Sequence, residues 1–146
     1  MNREKPLDIY MASAGSGKTY TLTLNYLKIL LSDDDGGMLP SELHKGYRRI
    51  LAVTFTNKAT EEMKRRVVET LFSLYSEQKP ASVADSLIEA GCAADKGALS
   101  QKAGETLFNL LHDYSNFNIS TIDAFFQRTM RAFARDIGLQ GGYNVE

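Results

Sequence analysis

Apolar positions along the chain alternate between short continuous runs and helical stripes. Leu7–Ala12 (LDIYMA) is a β-prone run that ends in a glycine-rich turn. Tyr20, Leu24, Leu27 and Leu31 follow at i, i+4, i+7 and i+11, the spacing of one inward-facing helix stripe. SDDDGGMLPSEL, residues 32–43, reads as the loop that closes this helix. Arg48–Phe55 (RRILAVTF) predicts a second strand, apolar enough to be buried on both faces. From Asn57 a helix carries Ala59, Met63, Val67, Leu71 and Leu74 on one stripe. Residues 76–97 are polar and rich in Ala and Gly, with a short helix expected at Val83–Ala90. A further helix over Leu99–Tyr114 turns Leu99, Ala103, Leu107, Leu110 and Tyr114 inward. Phe117–Thr121 (FNIST) reads as a third strand, feeding a last helix with the stripe Ile122, Phe126, Met130, Phe133 and Ile137. Strand–helix alternation of this kind predicts an α/β fold with a parallel sheet flanked by helices.

Composition changes this picture little. The 146 residues are 43% hydrophobic and 24% charged, ordinary values for a globular domain with a real core. No run approaches the ~18 apolar residues of a membrane span, and MNREKPLDIY has no apolar signal core. The expectation is a cytoplasmic protein with no membrane partner. The one cysteine, Cys92, has no metal-ligand company, and His44 and His112 are isolated, so a zinc-type site is not expected. The net charge of −1 hides an asymmetry. Between Lys45 and Arg66 basic residues dominate, whereas acids prevail between Ser76 and Asp113. A basic segment in a neutral domain is compatible with a polyanion site, and equally with a solvated helix face.

The first candidate chemistry lies in Ala12–Thr19 (ASAGSGKT), which closes as a phosphate-binding loop of the form G-x-x-x-x-G-K-[ST] with Ala12 in the first glycine position. Its setting, a β-run before and a helix after, is the one the chemistry requires. Gly15 and Gly17 let the backbone curl so that successive N–H groups point into one concavity, while Ser13, Ala14 and Ser16 keep the loop small. Lys18 would reach the β- and γ-phosphates of ATP, and the Thr19 hydroxyl would ligate Mg²⁺. An alanine at position 12 is tolerable at negative φ, because a methyl group there removes no phosphate-facing N–H. The plain alternative is a glycine-rich turn that binds nothing.

Two later segments say more. ASAGSGKT resembles motif I of the superfamily 1 DNA helicases of the UvrD/Rep type, which accept Ala or Gly at the first position. ILAVTFTNKATEEMKRRV (Ile50–Val67) is similar to motif Ia of that family, a strand ending in T-F-T-N-K-A followed by a helix with E-M-[KR]-x-R. ISTIDAFFQRTMR (Ile119–Arg131) resembles motif Ib, and T-I-D-[AS]-F in place of T-x-H-S-F tilts the match toward the RecB/AddA branch of recombination helicase–nucleases. The resemblance implies a P-loop NTPase, RecA-like sheet that is incomplete in this chain. It also implies ATP and Mg²⁺ as cofactors, and single-stranded or duplex DNA held at Thr54, Phe55, Thr56, Asn57, Lys58, Thr121, Asp123 and Phe125. These residues offer hydroxyl and amide groups for phosphate, an ammonium for charge neutralisation and aromatic faces for bases. The competing structural roles are a core aromatic for Phe55 and a solvated lysine for Lys58.

Arg128, Arg131 and Arg135 line one face of the last helix, opposite its apolar stripe, where they either track a DNA backbone or form a solvated, ion-paired face. Neither a D-E-x-x box nor the arginine finger of the second RecA-like half occurs in these residues. The expectation is therefore residues 1–146 as the N-terminal part of a UvrD-like ATP-binding domain, with 76–116 a helical insertion, that alone neither hydrolyses ATP nor unwinds DNA. Its partners would be the remaining helicase domains and a second helicase–nuclease subunit. The competing reading takes FNISTID as a Walker B strand with Asp123 holding Mg²⁺ in a small P-loop kinase. Against it, Ala124 follows Asp123 where a glutamate would orient water, and no arginine-bearing lid is evident.

Overall fold

The computed structural model describes residues 17–32, 45–78 and 81–138. The expected first strand at Leu7–Ala12 and the loop residues after Ser32 lie outside them. In chain order the elements are α1 (Lys18–Leu30), β1 (Ala52–Thr54), α2 (Asn57–Tyr75), α3 (Ala81–Glu89), α4 (Lys96–His112), β2 (Ile119–Thr121) and α5 (Ile122–Asp136). Single 3-10 turns at Gly46–Arg49 and Tyr114–Asn116 precede the two strands.

The stripes of α2 and α4 are buried as the periodicity predicts, with Met63, Val67, Leu71 and Leu74 from one meeting Leu99, Ala103, Leu107 and Leu110 from the other. These residues share a single core with Tyr26, Leu27, Leu30 and Leu31 of α1 and its C-cap, and with Val83 and Leu87 of α3. Cys92 is fully buried there rather than half-exposed. Helix α4 starts three residues before Leu99 because the Asp95 carboxylate caps it, accepting from the Ala98 N–H at 2.8 Å. It stops before Tyr114, which lies in the following turn and is exposed, contrary to its expected inward position. Tyr20 is likewise exposed, so only the rear of the α1 stripe packs. The Lys102 ammonium, partly buried, donates to the carbonyls of Leu31 (3.0 Å) and Cys92 (2.8 Å), tying the end of α1 to the segment after α3. Carbonyls at a helix end have no intrahelical donor, so a cation there satisfies them.

The two strands pair in parallel, with Ala52 opposite Ile119, Val53 opposite Ser120 and Thr54 opposite Thr121. One face belongs to the core: Ala52 and Ile119 are buried in the same cluster as Met63 and Val67 of α2. The strand β1 is shorter than the Arg48–Phe55 run, and it is not buried on both faces, since Leu51 and Val53 are about half exposed. Two interactions explain the difference. Tyr47 is fully buried and draws Gly46–Arg49 into a turn, and nothing among the described residues fully covers the second face of the sheet. The Tyr47 hydroxyl lies 3.1 Å from both the Asn109 carbonyl and the Asp113 carboxylate, and Arg48 ion-pairs with that same carboxylate. The Arg48 hydrogen bond, followed by one from Asn116, holds Asp113 well below the usual carboxylate range, at about 2. Burial and then Asp113 push the Tyr47 phenol up.

Candidate nucleic-acid interface

Both strands end the same way, in a threonine that caps the next helix. Thr56 has extended backbone (φ −126, ψ 153) and its hydroxyl accepts from the Ala59 N–H at 3.1 Å. Thr121 (φ −71, ψ 157) does the same for Ala124, also at 3.1 Å. Each hydroxyl satisfies one of the orphan donors of a helix start. Because β1 and β2 are adjacent and parallel, with Thr54 in register with Thr121, both carboxyl ends open on the same edge of the molecule. In open α/β sheets that edge is where ligands bind.

Phe55 stands at this edge with 89% of its surface exposed, which excludes the core-aromatic role. Asn57 and Lys58, in the first turn of α2, are exposed, as is Asp123 in the first turn of α5, where its charge complements the helix dipole. The three threonines are committed internally: Thr56 and Thr121 as caps, and Thr54 through its hydroxyl, 2.6 Å from that of Thr60 and 3.2 Å from the Thr56 carbonyl. Groups free to meet a ligand are therefore Phe55, Asn57, Lys58 and Asp123. Phe125 is half-buried. It lines an open groove along the uncovered side of the sheet with Leu51, Asn118 and Arg128, rather than joining Phe55 at the strand ends. Arg128 donates to the Ser120 hydroxyl at 2.9 Å, while Arg131 and Arg135 are exposed.

The basic stretch on α2 is mostly paired within the helix. Arg65 pairs with Glu69 and Arg66 with Glu62, each at i,i+4 and 2.8 Å. Lys64 lies over the rings of Tyr114 and Phe117, 5.2 and 5.8 Å from their centroids. Sequence reasoning missed Thr60 and the Tyr47–Asp113 contact. Both join residues whose pairing leaves no periodic or motif signal.

Of the phosphate loop, the described part begins at Gly17; Ala12, Ser13, Ala14, Gly15 and Ser16 lie outside it. Gly17 is the N-cap of α1 in the left-handed region (φ 80, ψ 19), a conformation that glycine adopts freely. Lys18 is exposed and Thr19 half-buried, with no acidic residue in the first turn and no side chain capping it. This helix start presents uncapped N–H groups and an ammonium, an arrangement suited to an anion. Among the described residues no helix is long and apolar enough to cross a membrane, and no cluster of His, Cys, Asp or Glu could hold a metal ion.

The profile of the family described as "UvrD/REP helicase N-terminal domain" matches residues 3–146. Two relatives, each the larger-lettered half of an "ATP-dependent helicase/nuclease", align over 92% of the chain. They are 33% identical in Lactobacillus acidophilus and 28% in Bacillus pumilus, and the alignment covers 8% of each relative. "RecBCD enzyme subunit RecB" of Buchnera aphidicola is 42% identical over 44% of the chain and 5% of the relative. "ATP-dependent DNA helicase PcrA" of Bacillus subtilis is 43% identical over 43% of the chain and 7% of the relative. The chain spans less than a tenth of the length of these relatives. No solved structure matches it. A family match that runs through Asp123 leaves the small-kinase reading without support. The long alignments are to helicase–nuclease subunits, in keeping with T-I-D-A-F at 121–125, and the chain belongs to the UvrD/REP helicase N-terminal domain family, on its RecB/AddA side.

Proposed function

We propose that this chain forms the nucleotide-binding and DNA-gripping start of an ATP-driven helicase motor, part of a recombination helicase–nuclease. The observation that carries the reading is the parallel pairing of β1 with β2, which puts Phe55, Asn57, Lys58 and Asp123 on one edge. Lys58 and the Asn57 amide would meet phosphates of a single DNA strand, and the Phe55 ring would stack on a base. Phe125 and Arg128 would extend the track along the groove beside α5.

Lys18 and Thr19 would hold ATP and Mg²⁺ with the backbone of residues 12–17. The bound metal neutralises charge on the phosphates. Lys18 orients the terminal phosphates, and the start of α1 offers them its N–H groups. Residues 76–116 would be a helical insertion in the motor domain, and the catalytic carboxylates and arginine finger would come from the rest of the motor. A second helicase–nuclease subunit is the expected partner.

In the full-length protein, Asn57→Ala with Lys58→Ala should weaken single-stranded DNA binding and lower its salt slope by about one, because one phosphate contact is lost. Nucleotide binding should stay near normal. Lys18→Ala should abolish DNA-stimulated ATP hydrolysis. Loss of nucleotide binding in the Asn57/Lys58 variant, or full hydrolysis in Lys18→Ala, would sink the respective assignment.

A further inference from the structure

Thr60 lies between the T-F-T-N-K-A segment (54–59) and the E-M pair (62–63) of α2, at a position that the motif pattern leaves open. Its place is nonetheless central to the turn that presents Phe55. Its backbone N–H donates to the Thr56 carbonyl at 3.1 Å, the first hydrogen bond of α2. Its hydroxyl lies 2.6 Å from that of Thr54, which in turn lies 3.2 Å from the same Thr56 carbonyl. A threonine hydroxyl carries one proton, so both short contacts are hydrogen bonds only if Thr60 donates to Thr54 and Thr54 donates to the Thr56 carbonyl. The result is a closed ring of bonds through Thr54, Thr56 and Thr60. Phe55 is the residue between the two fixed threonines, and its side chain is almost wholly in solvent.

An exposed phenylalanine on a freely moving turn would lose conformational freedom on meeting a base; one on a clamped turn loses less. We infer that Thr60 is a positioning residue, which through Thr54 and the Thr56 carbonyl fixes the turn at the end of β1 so that the Phe55 ring is presented to a nucleobase. This rests on the reading of Phe55 as a stacking group made above. The Thr60 side chain touches no ligand in this scheme; its effect passes through the turn.

The test uses the full chain and a thymidine-rich single-stranded oligonucleotide carrying one 2-aminopurine, whose fluorescence falls when the base stacks on a ring. Thr60→Val keeps the β-branched shape and removes the donor; it should weaken binding about 2- to 10-fold, the loss of one hydrogen bond, and reduce the quenching. Thr60→Ser should restore both. Thr54→Val should match Thr60→Val, and the double variant should be no weaker than either, because the two hydroxyls act as one unit. The salt slope should not change, since no phosphate contact is touched. Wild-type affinity and quenching in a folded Thr60→Val would overturn the inference while Phe55→Ala still lost both. An unchanged Phe55→Ala would overturn the stacking reading, and the inference with it. Failure of Thr60→Ser to rescue would assign Thr60 to packing alone and overturn the proposal.

Discussion

Helices α2 and α5 begin alike and end up differently. Each follows a short parallel strand, is capped by a threonine and carries one apolar stripe. The α2 stripe is closed: Met63, Val67 and Leu71 have essentially no exposed surface. The α5 stripe is open: Phe126, Met130, Phe133 and Ile137 are all more than half exposed, and no residue of α5 is buried. The inward packing expected of that stripe is therefore absent among the described residues. Amphipathic patterning specifies a face, and the partner of that face comes from elsewhere. Helix α2 finds α4, α1 and the sheet; α5 touches mainly the two strands.

The sharpest way to break this comparison is a matched pair of truncations. Leu71→Ala should lower unfolding stability by roughly 2–5 kcal/mol, because it opens a cavity in a closed core. Phe133→Ala should shift it by no more than about 0.5 kcal/mol. Urea titrations of both variants that gave equal shifts would mean that α5 is packed after all.

Within the closed half, Tyr26 offers a smaller test of opposite sign. Its hydroxyl is buried without a hydrogen-bond partner, and burial alone pushes the phenol far up. Tyr26→Phe removes that unsatisfied group while keeping the ring that packs against Phe117, so stability should rise, by up to about 1 kcal/mol. A clear loss of stability would show that the hydroxyl is satisfied in solution.

The smallest effect concerns the seam between the two halves, where Asp113 at the end of α4 meets Tyr47 and Arg48 ahead of β1. The folded carboxyl sits at about 2, below its ordinary value. Its contribution is therefore present above the unfolded pKa of about 4 and lost as pH falls toward 2. The group is near solvent, so the effect is modest. Asp113→Asn should flatten that part of an acid titration followed by far-UV circular dichroism. An unchanged acid limb would show that Asp113 does not couple to folding.

Much of the core is readable from spacing. Met63, Val67, Leu71 and Leu74 repeat at helical intervals, as do Leu99, Ala103, Leu107 and Leu110, and all eight are buried. The departures share a cause. Tyr20, Tyr114 and the α5 stripe fit the same periodicity, yet periodicity does not say where the neighbouring element stops. The apolar run Ile50–Val53 draws Arg48 and Arg49 into an expected strand, but buried Tyr47 turns the chain just before it. At the candidate site, T-F-T-N-K and T-I-D-A-F mark the two segments. The motifs suggest threonines as ligand contacts, whereas hydroxyls beside a helix start are taken first by its unpaired N–H groups.

The sequence alone thus determined the helical stripes, the motif segments and the family they resemble, because local periodicity and short motifs are encoded residue by residue. Only the tertiary structure decided that β1 and β2 are neighbours in register, that Thr54 closes on Thr60, and that Phe55 stands free while the threonines on either side are held. Those facts depend on which distant backbone groups pair, and the chemistry of single residues leaves that choice open until the chain has packed.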